Sequence, residues 1–295
     1  MPEADVKTFE AHRDLMFAVA YRMLGTVADA EDAVQDAWLR WSAAPRRGVA
    51  QPRAYLTKII TNTSLNRLRS VRARREAYLG PWLPEPLLTK EDPDYPERAV
   101  VAESVSLAML VVLESLTPEE RAVFVLREVF GVSYAEVGAA LRRTDASVRQ
   151  LAHRAREHVQ ARRPRFAVDR GQQREVTRRF LAAADGGGID ELMAVLAPEV
   201  TLTSDGGGRA RAALRPVTGA AKVARLLRGL ATRQPPGSCS ELAQINGTPG
   251  LLISAGGRAY AAMAWEITGG RVAAIHLITN PDKLAAISAR RTLVI

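Results

Sequence analysis

The sequence predicts a multidomain chain: two all-α domains, then an α+β domain with one curved antiparallel sheet. Three observations predict it. Apolar residues recur at helical spacing through the first 165 residues. Thr117-Pro-Glu-Glu and Ser133-Tyr-Ala-Glu are capping boxes that open helices. Beyond Pro164, glycines at 186–188, 206–208, 256–257 and 269–270 separate strand-like runs instead. The 295 residues suit roughly two domains of about 150 residues each.

From Phe9 to Leu24, Leu15, Met16, Val19, Ala20, Met23 and Leu24 form a helical stripe that Gly25 ends. Asp29 is the expected N-cap of a second helix, with Ala33, Val34, Ala37, Trp38 and Trp41 inward and Glu31, Asp32, Gln35, Asp36 and Arg40 outward. Pro52 starts a third helix, Arg53 to about Arg75, with Leu56, Ile59, Ile60, Thr63, Leu65 and Leu68 inward. Prolines 81, 84, 86, 93 and 96 make 80–96 an extended linker. Within it, Trp82-Leu-Pro-Glu-Pro is too apolar for a free tether and is expected to dock. Helices resume near Val100, and a short helix ends at Leu141. After the break Arg142-Arg-Thr-Asp, a helix runs from Ala146 to about Arg163 with Val148, Leu151, Ala152, Ala155 and Val159 inward. Helices at 174–184 and 190–196 precede strands at 200–204, 251–254, 259–267 and 272–278.

The net charge of +9 and pI near 10.2 point to a polyanionic partner, nucleic acid or an anionic membrane surface. Its distribution is sharper. Residues 1–36 carry three basic and eight acidic side chains; 40–75 carry ten basic and no acidic ones. Residues 76–136 hold four against twelve, and 142–165 eight against two. Two basic blocks, each beside an acidic one, imply two DNA-facing surfaces and acidic surfaces left for another partner. Solvated helix faces are the plainer account of any single run. Cys239, the one cysteine, excludes an intramolecular disulfide, and His12, His153, His158 and His276 lie too far apart for usual metal spacings. No signal peptide and no membrane span are expected, so the chain reads as soluble and cytoplasmic, with no cofactor and no membrane partner.

Two short helices with a tight turn and a basic outer face on the second are a helix-turn-helix pattern. Arg149 and Gln150 would reach base edges in the major groove, beside His153; Arg142, Arg143, Arg154 and Arg156 suit phosphates. The alternative is a helical hairpin packed within the protein.

On these residues a family resemblance stands. Phe9-Glu-Ala-His-Arg, Ala20-Tyr-Arg-Met-Leu-Gly and Asp29-Ala-Glu-Asp-Ala-Val-Gln-Asp-Ala-Trp-Leu-Arg-Trp resemble region 2 of extracytoplasmic function sigma factors. Pro52-Arg-Ala-Tyr-Leu-Thr-Lys and Asn66-Arg-Leu-Arg resemble its promoter-melting part. Leu116-Thr-Pro-Glu-Glu-Arg, Ser133-Tyr-Ala-Glu-Val and Val148-Arg-Gln-Leu-Ala-His-Arg-Ala-Arg resemble region 4. Trp82-Leu-Pro-Glu-Pro, Asp205-Gly-Gly-Gly and Asn280-Pro-Asp-Lys-Leu resemble the group forty-one subfamily, whose C-terminal domain is similar to the SnoaL and nuclear transport factor 2 cone.

The resemblance implies region 2 over 5–78, a linker over 79–100, region 4 over 101–165 and a SnoaL-like regulatory domain over 170–295. It implies core RNA polymerase, through its β′ clamp coiled coil and β flap, and promoter DNA at −35 and −10 as partners. Glu31, Asp32, Gln35, Asp36 and Leu39 would meet the polymerase. Arg53, Lys58, Asn62, Asn66, Arg67 and Arg69 would hold the −10 strands. Arg142, Arg143, Ser147, Arg149, Gln150, His153, Arg154 and Arg156 would bind at −35. Many family members carry aspartate where this chain has Asn66, so that acid's role does not carry over.

The third set is regulatory: Trp82, Leu83, Pro84, Glu85 and Pro86 would dock near Asp205, Gly206, Gly207 and Gly208 and near Asn280, Pro281, Asp282, Lys283 and Leu284. A cone makes a pocket, so a small molecule is a candidate ligand there. Asp205, Glu266 and His276 are the acid–base candidates, but a lone histidine in an apolar strand is more often core, and no catalytic residue is assigned. An enzyme or ligand sensor fused to a DNA-binding module is the competing function.

Overall fold

The helical spacing over the first 76 residues becomes α1 (Glu3–Leu24), α2 (Val27–Ala43) and α3 (Pro52–Glu76). The structure, a computed structural model, describes residues 3–43, 51–90, 105–162, 170–186, 188–288 and 292–294. The helix restart expected near Val100, Pro93 and Pro96 of the linker, and Gly187 lie outside these residues. The chain divides into two compact units, 1–77 with 109–163 and 78–108 with 164–295.

In the first unit Gly25, at φ +75°, ends α1 by donating to Tyr21 O at 2.7 Å. The cap of α2 is Thr26 rather than the expected Asp29. Asp29 N donates to Thr26 Oγ1 at 3.2 Å and Thr26 Oγ1 to Asp29 Oδ2 at 2.7 Å, so Asp29 sits in the first turn as the reciprocal partner. Proline opens α3 as expected, but Ile59 and Leu65 are only half-buried while Thr57, Thr61 and Ser64 join Leu56, Ile60, Thr63 and Leu68 inside. Burial of the first two threonines is tolerated because Thr57 Oγ1 donates to Arg53 O and Thr61 Oγ1 to Thr57 O, at 2.8 and 2.7 Å.

Then α4 (Leu107–Glu114) leads to α5 (Pro118–Phe124), which runs on into a π turn at Val125–Val129. The helices α6 (Tyr134–Leu141) and α7 (Asp145–Arg162) complete the unit. Both capping boxes are present, at Thr117 with Glu120 and at Ser133 with Glu136.

The second unit is α+β, as expected. Helices α8 (Arg170–Asp185), α9 (Ile189–Val195) and α10 (Ala220–Ala231) cover one face of a sheet. Its strands are β1 (Leu88–Lys90), β2 (Leu196–Asp205), β3 (Val217–Thr218), β4 (Cys239–Ile245), β5 (Thr248–Ala255), β6 (Arg258–Thr268), β7 (Arg271–Ile278) and β8 (Thr292–Val294). The order is β3-β2-β7-β6-β5-β4-β1-β8, antiparallel except for β2 on β7 and β1 on β8. Helix α11 (Pro281–Ser288) comes after β7. Phe180 and Trp265 meet in the core of the helix-covered face with ring centroids 5.1 Å apart and planes tilted by 56°, and Trp265 Nε1 donates to Thr177 Oγ1 at 3.2 Å.

Strands β1, β3, β4 and β8 escaped sequence reading, and for β4 and β1 the physical reason is plain. The first four residues of β4 are all exposed, so no apolar alternation marks it. β1 lies in the proline-rich segment expected to be a linker. That segment belongs to the sheet unit: Leu83 through Leu87 are buried without a break, and Leu88–Lys90 pairs with β8.

Candidate functional site

The helix-turn-helix is built by close approach. A Cβ on Gly138 would lie 2.8 Å from Arg143 O, so only glycine lets the turn pass so near α6. Arg142 ends α6 in the left-handed region at φ 56°. The Ser133 hydroxyl and amide hold the Glu136 carboxyl below its usual range. On α7, Arg149, Gln150, His153 and Arg154 are exposed together and Ser147 and Arg156 are half-buried. Tyr134 supports this face, its ring 4.5 Å from the Arg127 guanidinium and 5.5 Å from that of Arg149. Arg143 Nη2 donates to both Glu119 carboxylate oxygens, at 2.8 and 2.7 Å, and Arg154 lies 3.6 Å from Glu120. Both pairs are exposed on the arginine side and weak, so a phosphate can replace the carboxylate.

On α3, Lys58, Asn62, Asn66 and Arg69 fall on one stripe, with Arg53 at the helix start. Arg67 does not join them. Its guanidinium reaches Asp36 at 2.6 Å and Asp32 at 3.2 Å, so a residue expected on DNA is fastened to the acidic edge expected on the polymerase. Glu31 is likewise paired, with Arg13 at 2.6 Å. Gln35 and Leu39 stay open on α2, Leu39 at 59% exposure.

Sequence reasoning missed what joins α3 to the later helices. Glu114, at the end of α4, accepts from Arg75 of α3 and from Arg121 of α5. Arg75 also donates to Leu24 O, and Arg121 Nε to Arg22 O at 3.0 Å. Burial lowers the Arg22 and Arg75 pKa values to about 10. Nearer the start of α3, Asn62 Nδ2 donates to Ala140 O at 3.0 Å. A cleft of about 440 Å³ separates Arg53, Thr57 and Lys58 from Phe130, Val132 and Glu136. The stripe on α3 thus faces the helix-turn-helix.

In the second unit the structure brings the three motifs of the regulatory set together. The fully buried Asp205 carboxylate accepts from Tyr78 Oη (2.6 Å), Leu83 N (2.8 Å), Gly207 N (3.1 Å) and Lys283 Nζ (2.6 Å). Lys283 also donates to Leu83 O and stands 4.1 Å over the Trp82 ring. Asn280 Nδ2 donates to Tyr78 Oη at 2.8 Å, and Arg209 pairs with Asp282 at 2.6 Å. Burial, then the Asp205 hydrogen bond, pushes the Tyr78 phenol well above its usual range. This approach explains the glycines: at Gly207, φ +60°, a Cβ would strike the Asn280 side chain and lie 2.9 Å from Tyr78 Oη. At Gly208 it would lie 3.2 Å from Leu79 Cδ2. Leu83, Pro84, Glu85 and Pro86 are buried, as is Leu284, while Gly206 closes on Ala210 O and Pro281 opens α11. Tyr78, two residues past the end of α3, carried no sequence signal beyond being an aromatic after a basic run.

Of the acid–base candidates, Asp205 is saturated by its four donors. His276 Nε2 lies 2.8 Å from Glu266 Oε1, on the sheet face opposite Ile275 and Leu277, which enter the core. Among the described residues no group of three or more His, Cys, Asp or Glu side chains could hold a metal ion, and no helix is long and apolar enough to cross a membrane.

Residues 8–75 match the family model for Sigma-70 region 2, and residues 106–159 match that for Sigma-70, region 4. The chain is 44% identical over 290 residues to the ECF RNA polymerase sigma factor SigJ of Mycobacterium tuberculosis, across 95% of this chain and 93% of that one. It is 31% identical over 284 residues to a protein of the same species named "Probable ECF RNA polymerase sigma factor SigI", across 95% of each. The crystal structure of the M. tuberculosis extracytoplasmic function sigma factor SigJ superposes with a TM-score of 0.75 at 40% identity, across 95% of this chain and 98% of that one. With α1–α3 in the place of region 2, α4–α7 in that of region 4, and one relative similar along nearly its whole length, the chain belongs to the extracytoplasmic function sigma factors of RNA polymerase.

Proposed function

We propose that the second unit regulates this sigma factor in cis by holding the chain between regions 2 and 4. The observation that carries the reading is the buried Asp205 carboxylate, which binds Tyr78 and Leu83 of the connecting segment together with Lys283 of its own unit. Gripping the chain directly after region 2 limits where region 4 can travel. Release would let the two regions take their places on core polymerase and promoter DNA. The α2 face with Gln35 and Leu39 meets the polymerase, since an exposed leucine beside acidic side chains is a ready contact. The α3 stripe takes the −10 strands, whose bases must leave the stack, and α7 reads −35 duplex. The free factor is closed, because Asn62 and the cleft at Lys58 face region 4 rather than DNA. The reading needs no small molecule, as Trp265 and Phe180 pack the helix-covered face of the sheet. It places the activity in the cytoplasm, with the polymerase.

Promoter-dependent run-off transcription with core enzyme tests it. Lys283→Met keeps the side-chain volume and leaves Asp205 three donors while the grip on Leu83 O is lost; because it also takes the ammonium from a buried carboxylate, yield is read at a temperature where calorimetry shows the variant folded. The variant is expected to change transcript yield several-fold; an unchanged yield overturns regulation by this contact. Arg149→Ala is expected to weaken discrimination at one −35 base pair by about 1–3 kcal/mol. Competition binding with −35 variants measures it, and a uniform loss across all sequences would mark Arg149 as a phosphate contact.

A further inference from the structure

Residues 246 and 247 are Asn-Gly between β4 and β5, at φ 52° and 72°, the left-handed pair a two-residue hairpin turn requires. An asparagine there ordinarily points to solvent. Asn246 is instead fully buried. Leu87 N donates to its Oδ1 at 2.8 Å, and its own N–H donates to Leu87 O at 2.9 Å. Its Nδ2 donates to Val105 O at 2.9 Å, and the neighbouring Gly247 N donates to Thr89 Oγ1, also at 2.9 Å. One carboxamide therefore holds both ends of the stretch 88–104. The role calls for an acceptor and a donor on one short side chain that also tolerates the left-handed region, a combination asparagine supplies.

Val105 lies two residues before α4, where region 4 begins, and Tyr78 lies two residues after the end of α3. The second unit grips the chain at both places, at Tyr78 through Asp205 and at Val105 through Asn246. Free of these grips, residues 78–108 would be a tether able to span many separations, up to about 100 Å at roughly 3.3 Å per residue.

We infer that Asn246 is a positioning residue that sets where region 4 leaves the second unit, and so sets the −35 to −10 separation the factor accepts. The inference deepens the reading that the second unit acts in cis, and rests on it. Full-length protein with core polymerase is tested on templates whose −35 and −10 elements are moved together or apart by one to three base pairs. Two variants isolate the side chain. Asn246→Gly keeps the left-handed turn and removes all side-chain bonds. Asn246→Asp keeps the turn and the acceptor for Leu87 N but turns a carboxylate oxygen toward Val105 O.

Wild type is expected to show a sharp optimum. Both variants should raise off-optimum relative to optimum transcription at least five-fold, with faster amide exchange at Ser106 and Leu107. A loss of stability alone would lower transcription equally on every template. That equal loss overturns the inference, as does a wild-type spacing profile in Asn246→Asp. Its failure is separable from that of the wider reading: a changed yield with Lys283→Met beside an unchanged spacing profile in both Asn246 variants overturns the Asn246 role alone.

Discussion

Glu114→Ala is expected to lower the unfolding temperature of the helical unit by about 10 °C and to expose the α3 stripe. Glu114 is the shared acceptor of Arg75 and Arg121, whose side chains are 12% and 2% exposed. Removing it takes the shared carboxylate from two largely buried guanidinium groups, and breaking a buried pair in this way costs about 3–5 kcal/mol. Glu114 is itself 22% exposed, which favours the low end of that range. At about 3 kcal/mol a unit of this size loses on the order of 10 °C. The Glu114–Arg75 pair ties region 4 to the end of α3, and the Glu114–Arg121 pair steadies the guanidinium that reaches Arg22 O near the end of α1. Their loss should therefore also raise affinity for a single-stranded −10 oligonucleotide. Calorimetry and fluorescence anisotropy measure the two effects. Glu114→Gln, which keeps the shape and one of the two acceptor oxygens without the charge, should fall between wild type and alanine. An unchanged melting temperature in Glu114→Ala would show that the arginines are satisfied elsewhere.

Asp205→Ala should have the larger effect in the second unit. The variant removes the acceptor of four hydrogen bonds and leaves the Lys283 ammonium buried, again at a cost of about 3–5 kcal/mol. The segment from Tyr78 to Leu87 should become open to protease, because the Tyr78 hydroxyl and the Leu83 amide that anchor it lose their acceptor. Adding Lys283→Met should recover part of the stability, since the ammonium that lost the Asp205 carboxylate is then gone. Urea unfolding of the single and double variants checks the order. A double variant less stable than Asp205→Ala would mean that Lys283 keeps the fold through Leu83 O and the Trp82 ring rather than through the ion pair.

Much of the fold was legible because its signals are local. Thr117 with Glu120 and Ser133 with Glu136 bond within one turn, so the boxes seen in the sequence are the boxes in the structure. Strands β5, β6 and β7 were legible by apolar runs between glycine turns; β4 was not, because a strand with an exposed start has no pattern to show. The Trp82–Pro86 segment could be expected to dock because its apolar side chains needed cover. Its partners Asp205 and Lys283 could be named only through the family resemblance. The reason for Gly207 and Gly208 is steric: Asn280 and Tyr78 at one, Leu79 at the other, occupy the space of a Cβ.

By itself the sequence determined the helices up to Val195 and most of their caps, though not α10 or α11, together with the helix-turn-helix, the α+β texture after Pro164 and the family. It also determined that the charge comes in blocks. Only the tertiary structure decided whom those charges serve. Arg67 sits in a basic block yet spends its donors on Asp32 and Asp36, and Glu114 ends an apolar helix yet holds two distant arginines. Asn246 would pass as an ordinary turn residue until Leu87 and Val105 arrive beside it. The physical reason is common to all three. A cap or an apolar stripe is satisfied within a few residues of itself, whereas a buried polar side chain takes whichever partner the fold delivers.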